Sequence, residues 1–564
     1  MLITFRRDGR GQTPDPGRRP SGRADRRPWS AAPDPVGLPA EVLERHGAAI
    51  LRPATAATFA GAPTPRTTIY RTAVLQLPES FLDPGNGALL ARLNEILAGI
   101  GYRLAAERMR RLADLPADLK RPRRRPDLLR RVRVEVVPGK VARPVDAWTA
   151  LQTLRAAART EPDIAAAVAR IELEHLLVGA SLYGDPSTEG HPSTEGHPST
   201  EGHPGPATYS RGGTGGRAPV DVIMSAPWRR DLDGLACRRP VVAVLDTGIG
   251  PHPWLDCATT PGADGFVYLD VATQWLVSAQ EALDDQDQPL PGPIEAPVYD
   301  SPLLGELDTH SGHGTFISGI VRQVAPNAKV RSVRIMHDDG VVYENDLLLV
   351  LSTLLEDIQD VQSGEAPADL FVDVISLSAG YYSENAEDVA YTSQLEEIVD
   401  SLAECGVLFV ASAGNDSTER PCYPAALAAL PGGTPAVWSV GALNPNGSKA
   451  FFSNDGPWVR CWATGAAVVS TYPTDYDGSG KPLDSLPEAN APGLPQRRET
   501  IDPDDFTSGF ATWSGTSFSA PLVAAALAAT LLFEAERDPG MSLDECDPSH
   551  ALARAARAVR TLGG

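Results

Sequence analysis

The stretch that decides the fold is Pro240–Gly250, "PVVAVLDTGIG". An unbroken apolar run rich in valine, closed by an acid and a glycine turn, reads as a short strand buried on both faces. Working outward, the pattern recurs in "KVRSVRI" (329–335), "DVISLS" (373–378), "GVLFVASAG" (406–414) and "AVWSVGAL" (436–443). Between these runs, "ENDLLLVLSTLLEDIQD" (344–360) and "TSQLEEIVDSLAECG" (392–406) have the helical period. This alternation predicts an α/β fold, a doubly wound parallel sheet with covering helices. In such sheets, sites gather at the carboxyl ends of the strands.

Four glycine-containing turns carry residues with chemistry. Asp246 ends the first strand, and His313 stands between two glycines in "HSGHGTFISGI" (310–320). Asn415 follows Gly414 at the end of another strand, and Ser517 lies in "SGTSFSAP" (514–521), ahead of an alanine-rich run that reads as a buried helix. Taken singly, each has an ordinary reading: a turn-capping acid, a loop histidine, a turn asparagine and a serine at a helix start. Pro521 is expected in the first turn of that helix. Taken together they match a reaction. A serine needs an imidazole to take its proton, and the imidazole needs a carboxylate to hold its tautomer. The oxyanion formed on an attacked carbonyl needs donors, and an Asn amide is one.

The order Asp, His, Ser is that of subtilisin among the triad folds. "VAVLDTGI", "HGTFISGI", "ASAGN" and "SGTSFSAP" resemble the four signature segments of the subtilisin-like serine peptidases, and the stretch from Phe452 to Pro473 is similar to a further one. The resemblance spans Val241 to Leu532. It implies a subtilisin-like α/β domain and an endopeptidase acting on proteins or peptides. Asp246, His313 and Ser517 would form the triad, and Asn415 would share the oxyanion hole with the Ser517 main-chain N–H. "VISLSAG" would pair with substrate as an added strand, through Ser378 and Gly380. Phe518 departs from the family's usual methionine, and Ala379 from its usual leucine. The acidic stretch 260–309 is longer than usual and is expected as a surface excursion near the cleft.

Ahead of this domain, "YRTAVLQL", "NGALLARLNEILAGI", "YRLAAE", "VRVEVV", "VDAWTALQTLRAAA" and "VARIELEHLLV" read as β-α-β-β-α-β, the order of a smaller α+β ferredoxin-like unit. Under the resemblance this is an intramolecular prodomain over residues 36–180. A disordered basic arm (1–35) would precede it, and a flexible linker (181–217) would separate it from the peptidase domain (218–564). The linker holds "PSTEGH" three times, from Pro186 to His203. Its regularly spaced His191, His197 and His203 invite a metal, but chelation by a flexible tract costs much entropy and repeat expansion explains the spacing. Self-processing between about Val178 and Arg217 is expected, releasing an inhibitory fragment.

The net charge of −22 hides a split. Residues 1–220 carry 32 basic and 23 acidic side chains, and the remainder 18 and 49. The basic half could suggest nucleic acid, but no zinc-finger or aromatic RNA-binding motif accompanies it; solvated loop charge is the simpler reading, and docking of one half on the other is a third. No apolar stretch is expected to span a membrane. Six cysteines without CxxC spacing read as thiols rather than zinc ligands. The chemistry requires no cofactor. A structural calcium would suit the resemblance, although no ligands can be matched and no metal site is assigned. With no signal peptide recognisable, a cytoplasmic location is expected, export being left open. The rival reading is a catalytically inactive binding protein on the same fold.

Overall fold

The computed structural model describes residues 3–5, 37–59, 63–105, 127–140, 144–180, 216–282, 289–299, 303, 305–385, 394–429, 437–479, 482–487 and 497–563. The PSTEGH repeats, most of the basic arm and nearly all of the expected linker lie outside these residues.

The strand Val241–Asp246 stands near the middle of a nine-stranded sheet. Lys329–Arg334, Val267–Leu269 and Cys257–Ala258 follow on one side, and Val374–Leu377, Leu408–Ser412, Val437–Leu443 and Cys461–Thr464 on the other, all parallel. Period-two geometry sends Val241, Ala243 and Leu245 into one core and Val242 and Val244 into another. The first core is covered by the helices Glu344–Gln362 and Gln394–Glu404, the second by His313–Val324 and Thr516–Arg537. Strand order reverses around Val241–Asp246, so its carboxyl end opens at the crevice where such sheets hold their sites.

Three expectations are corrected here. Within the stretch read as a disordered arm, Ile3–Phe5 form an antiparallel strand on the Cys461–Thr464 edge, with Phe5 against Trp438. The acidic excursion is not all surface: it supplies the strand Val267–Leu269 and the helix Val271–Glu281. Two of its acids are partnered inside, Asp270 by Arg331 and Glu281 by His337. By length and composition Thr516–Arg537 could cross a membrane, yet 83% of that apolar window is buried within the fold. A core helix packed on both sides is apolar all round for the same reason a membrane helix is.

The N-terminal unit is an antiparallel sheet ordered Glu172–Gly179, Thr68–Pro78, Leu129–Val136, Tyr102–Leu104. The helices Gly87–Ala98 and Ala147–Ala158 close one face around Leu93, Leu97, Leu151 and Leu154. The other face lies on the catalytic half and shares its core through Ile69, Leu129, Leu176 and Leu177. Charges cross this junction. Arg131 pairs with Asp346 at 2.8 Å and Arg45 with Asp339 at 2.7 Å. His175 lies between Glu344 at 2.8 Å and Glu384 at 2.9 Å. Burial disfavours the charged imidazole, but the two carboxylates outweigh it and push its pKa up to about 10.

Candidate active site

Asp246 Oδ1 accepts from His313 Nδ1 at 2.7 Å and from the Thr247 N–H at 2.8 Å, with both side chains buried. The carboxylate therefore fixes the tautomer that leaves Nε2 as the basic nitrogen. His313 begins its helix, and the preceding Gly312 has φ 83°. A Cβ on Gly312 would lie 2.4 Å from the Tyr472 ring, and one on Gly314 would lie 2.3 Å from the Gly248 carbonyl. The flanking glycines thus let the helix start press against the Asp246 turn.

Ser517 is the second residue of Thr516–Arg537, after the N-cap Gly515. It is not the cap, and its N–H is one of the amides that a helix start leaves without an internal acceptor. That N–H donates to the Ala180 carbonyl at 3.0 Å. Pro521 lies inside the helix, one turn later than expected. Having no N–H, it cannot serve the Ser517 carbonyl four residues back, and Ser378 Oγ donates there instead at 3.0 Å. The Ser517 hydroxyl donates to the Ser378 carbonyl at 3.3 Å rather than to His313. Phe518 fills the space behind, with ring centres 4.5 Å from Phe316 and 5.4 Å from His313.

Asn415 is turned by two bonds. Its Oδ1 accepts from the Thr516 N–H and from Thr516 Oγ1, both at 2.9 Å. That leaves its amide Nδ2 buried and, like His313 Nε2, without a partner among the described residues. Buried polar groups are ordinarily paired, so these two atoms call for a partner.

Ser378 and Gly380 line the same cleft. Glu172–Gly179 runs as a central strand between Val341–Tyr343 and Ala379–Gly380, antiparallel to both. Val178 faces Gly380 in register, and the N–H groups of Gly179 and Ala180 donate to the carbonyls of Gly340 (2.8 Å) and Ser378 (2.9 Å). The N-terminal unit therefore delivers its last described carbonyl, that of Ala180, to the Ser517 N–H.

A family model described as "Subtilase family" matches residues 238–552. The chain belongs to the subtilase family. Among curated relatives, the minor extracellular protease Epr of Bacillus subtilis (strain 168) is 26% identical over 46% of this chain and 32% of its own length. Subtilisin BL of Lederbergia lenta is 27% identical over 41% of this chain and 66% of its own length. The chain thus spans a third to two thirds of the length of these relatives. A lanthipeptide protease structure superposes with 17% identity and a TM-score of 0.35, covering 57% of this chain and 88% of that one.

Three features of this subtilase's cleft were not read from its sequence. Glu295, 1% exposed, accepts from the Gly312 N–H at 2.6 Å and from Thr315 Oγ1 at 3.2 Å, bracing the turn that carries His313. Burial and the nearby Asp338 hold its pKa well above the usual carboxylate range. Arg217, expected in the flexible linker, is fixed instead. Its guanidinium donates to the carbonyls of Leu307, Asp308 and Ser311 and stands 5.4 Å from the Trp513 ring. His310, fully buried, is 5.3 Å from His313. A buried acid in an acidic Pro-rich tract and an arginine beside Gly-rich repeats give no local signal. All six cysteines are free thiols, and Cys257 is exposed. Among the described residues, no three His, Cys, Asp or Glu side chains converge as a metal site.

Proposed function

We propose that this subtilase is a serine endopeptidase that hydrolyses peptide bonds through an acyl-enzyme, and that its N-terminal unit is its own first substrate and then its inhibitor. Ser517 Oγ attacks the carbonyl, His313 Nε2 takes the proton and returns it to the leaving amine, and Asp246 stabilises the imidazolium. The Ser517 N–H and Asn415 Nδ2 receive the oxyanion. Ser378, Gly380 and Gly340 hold the residues before the scissile bond as a strand. The observation that carries the reading is the 3.0 Å bond from the Ser517 N–H to the Ala180 carbonyl, made by a segment already paired on both edges. On this reading, the bond cut during maturation is Ala180–Ser181.

The test is intact mass on the wild type and Ser517→Ala expressed in parallel. Wild type should separate into two fragments with the break after Ala180, and Ser517→Ala should remain one chain. A wild type that stays whole while hydrolysing added peptides removes the self-processing half of the proposal. Failure of a fluorophosphonate probe to label Ser517 of the purified, processed protein removes the peptidase half and favours the inactive binding protein.

A further inference from the structure

We infer that His310 makes this cleft selective for glycine at the position immediately before the residue whose carbonyl is attacked. The inference rests on the reading that Ala180 occupies the cleft as that attacked residue, which places Gly179 at the preceding position. A Cβ built on Gly179 would lie 2.6 Å from His310 Nε2, 2.7 Å from Cδ2 and 3.2 Å from Met336 Sδ. The first two separations are well inside van der Waals contact, so either the wall or the strand would have to move.

The wall is held. His310 is fully buried, and its Nδ1 is 3.1 Å from Thr309 Oγ1. Gly340 presses on the opposite side of the ring, where even a Cβ would come within 2.3 Å of Nδ1. The rings of His313 at 5.3 Å and Trp513 at 6.4 Å also flank it. Met336 is flexible and could withdraw, but displacing the imidazole would disturb a close-packed interior.

The strand is held as firmly. Backing it away from His310 would stretch the bonds from Gly179 N–H to Gly340, from Ala180 N–H to Ser378, and from Ser517 N–H to Ala180. The last of these sets the position of the reacting carbonyl, so a side chain that forced the strand outward would slow the chemistry as well as weaken binding. A glycine avoids both losses. The flanking positions both carry side chains: Val178 packs partly buried against the core, and Ala180 is buried.

The experiment uses the full chain and two matched peptides that differ only by glycine or alanine at this position, alongside a proteome-derived peptide library. Wild type should favour the glycine peptide by about tenfold to a hundredfold in kcat/KM, the range expected for forcing one methyl into a filled site. His310→Ala should reduce that ratio to below about threefold, because it removes the ring the methyl would meet. Gly179→Ala should slow self-processing, and adding His310→Ala should restore it. Equal hydrolysis of both peptides by wild type, or an unchanged ratio in His310→Ala, overturns the inference. Should His310→Ala fail to fold, the wild-type library decides: glycine enrichment two residues before the cut supports the inference, and its absence overturns it. A chain that is cut elsewhere than after Ala180, yet still prefers the glycine peptide, defeats the processing assignment and leaves this subsite standing.

Discussion

Ser378 and Ser517 exchange hydrogen bonds: Ser378 Oγ donates to the Ser517 carbonyl at 3.0 Å, and Ser517 Oγ donates to the Ser378 carbonyl at 3.3 Å. The first bond fills the position that Pro521 vacates in the helix ladder. Ser378→Ala should therefore strand a buried carbonyl and cost about 1–3 kcal/mol. Pro521→Ala, which restores an N–H four residues on, should recover part of that loss in the double variant. Denaturant titration of the single and double variants, on a background made inactive by His313→Ala, measures it. Additive effects would show that the two residues do not serve the same carbonyl.

Asn415 is oriented before any substrate arrives, because Thr516 occupies its Oδ1 with two bonds at 2.9 Å. A donor aimed in advance at the position of developing charge acts mainly in the transition state. Asn415→Ala should lower kcat by about a hundredfold to a thousandfold with little change in KM. Steady-state kinetics on a peptide substrate separate the two parameters, and a raised KM with unaltered kcat would mean that the amide binds the ground state.

Glu295 is buried beneath the turn that carries His313. It braces the His313 turn through the Gly312 N–H and the Thr315 hydroxyl. Glu295→Ala leaves both donors buried without their acceptor and should destabilise by about 1–3 kcal/mol. Turnover should fall as well, while Glu295→Gln, which keeps an accepting oxygen, should recover most of it. Loss of stability without loss of kcat would limit Glu295 to a structural part.

His175 links the stability of the docked N-terminal unit to pH. It lies between Glu344 and Glu384 and stacks on Tyr381 at 4.5 Å. Its pKa is raised from 6.5 to about 10, so the folded chain holds a proton that the unfolded chain releases. The stabilisation is complete below about pH 6.5 and declines as pH rises towards 10. In full-length Ser517→Ala, the difference in Tm between His175 and His175→Gln should narrow across that window. A difference that stays constant from pH 6 to 10 would show that the imidazolium contributes nothing there.

Much of the catalytic half was legible because its signals are local. An apolar run buried on both faces, a glycine turn at its end and a reactive side chain in the turn occupy a few consecutive residues around Asp246, His313, Asn415 and Ser517. The α/β class follows from the same runs, since period and length report burial without reference to distant partners. What the tertiary structure alone decided are meetings between residues far apart in the chain. Ser378 reaches the carbonyl beside Pro521 across 139 positions, and Arg131 reaches Asp346 across 215. Glu295 under Gly312, Arg217 against the Leu307–Ser311 turn, and His310 over Gly179 are of the same kind. Periodicity carries no information about which buried polar group finds which partner. That is set by strand register and helix packing, where a shift of one residue turns every side chain to the other face. Sequence alone thus determined which side chains could do chemistry, and packing decided what they grip and what the cleft will admit.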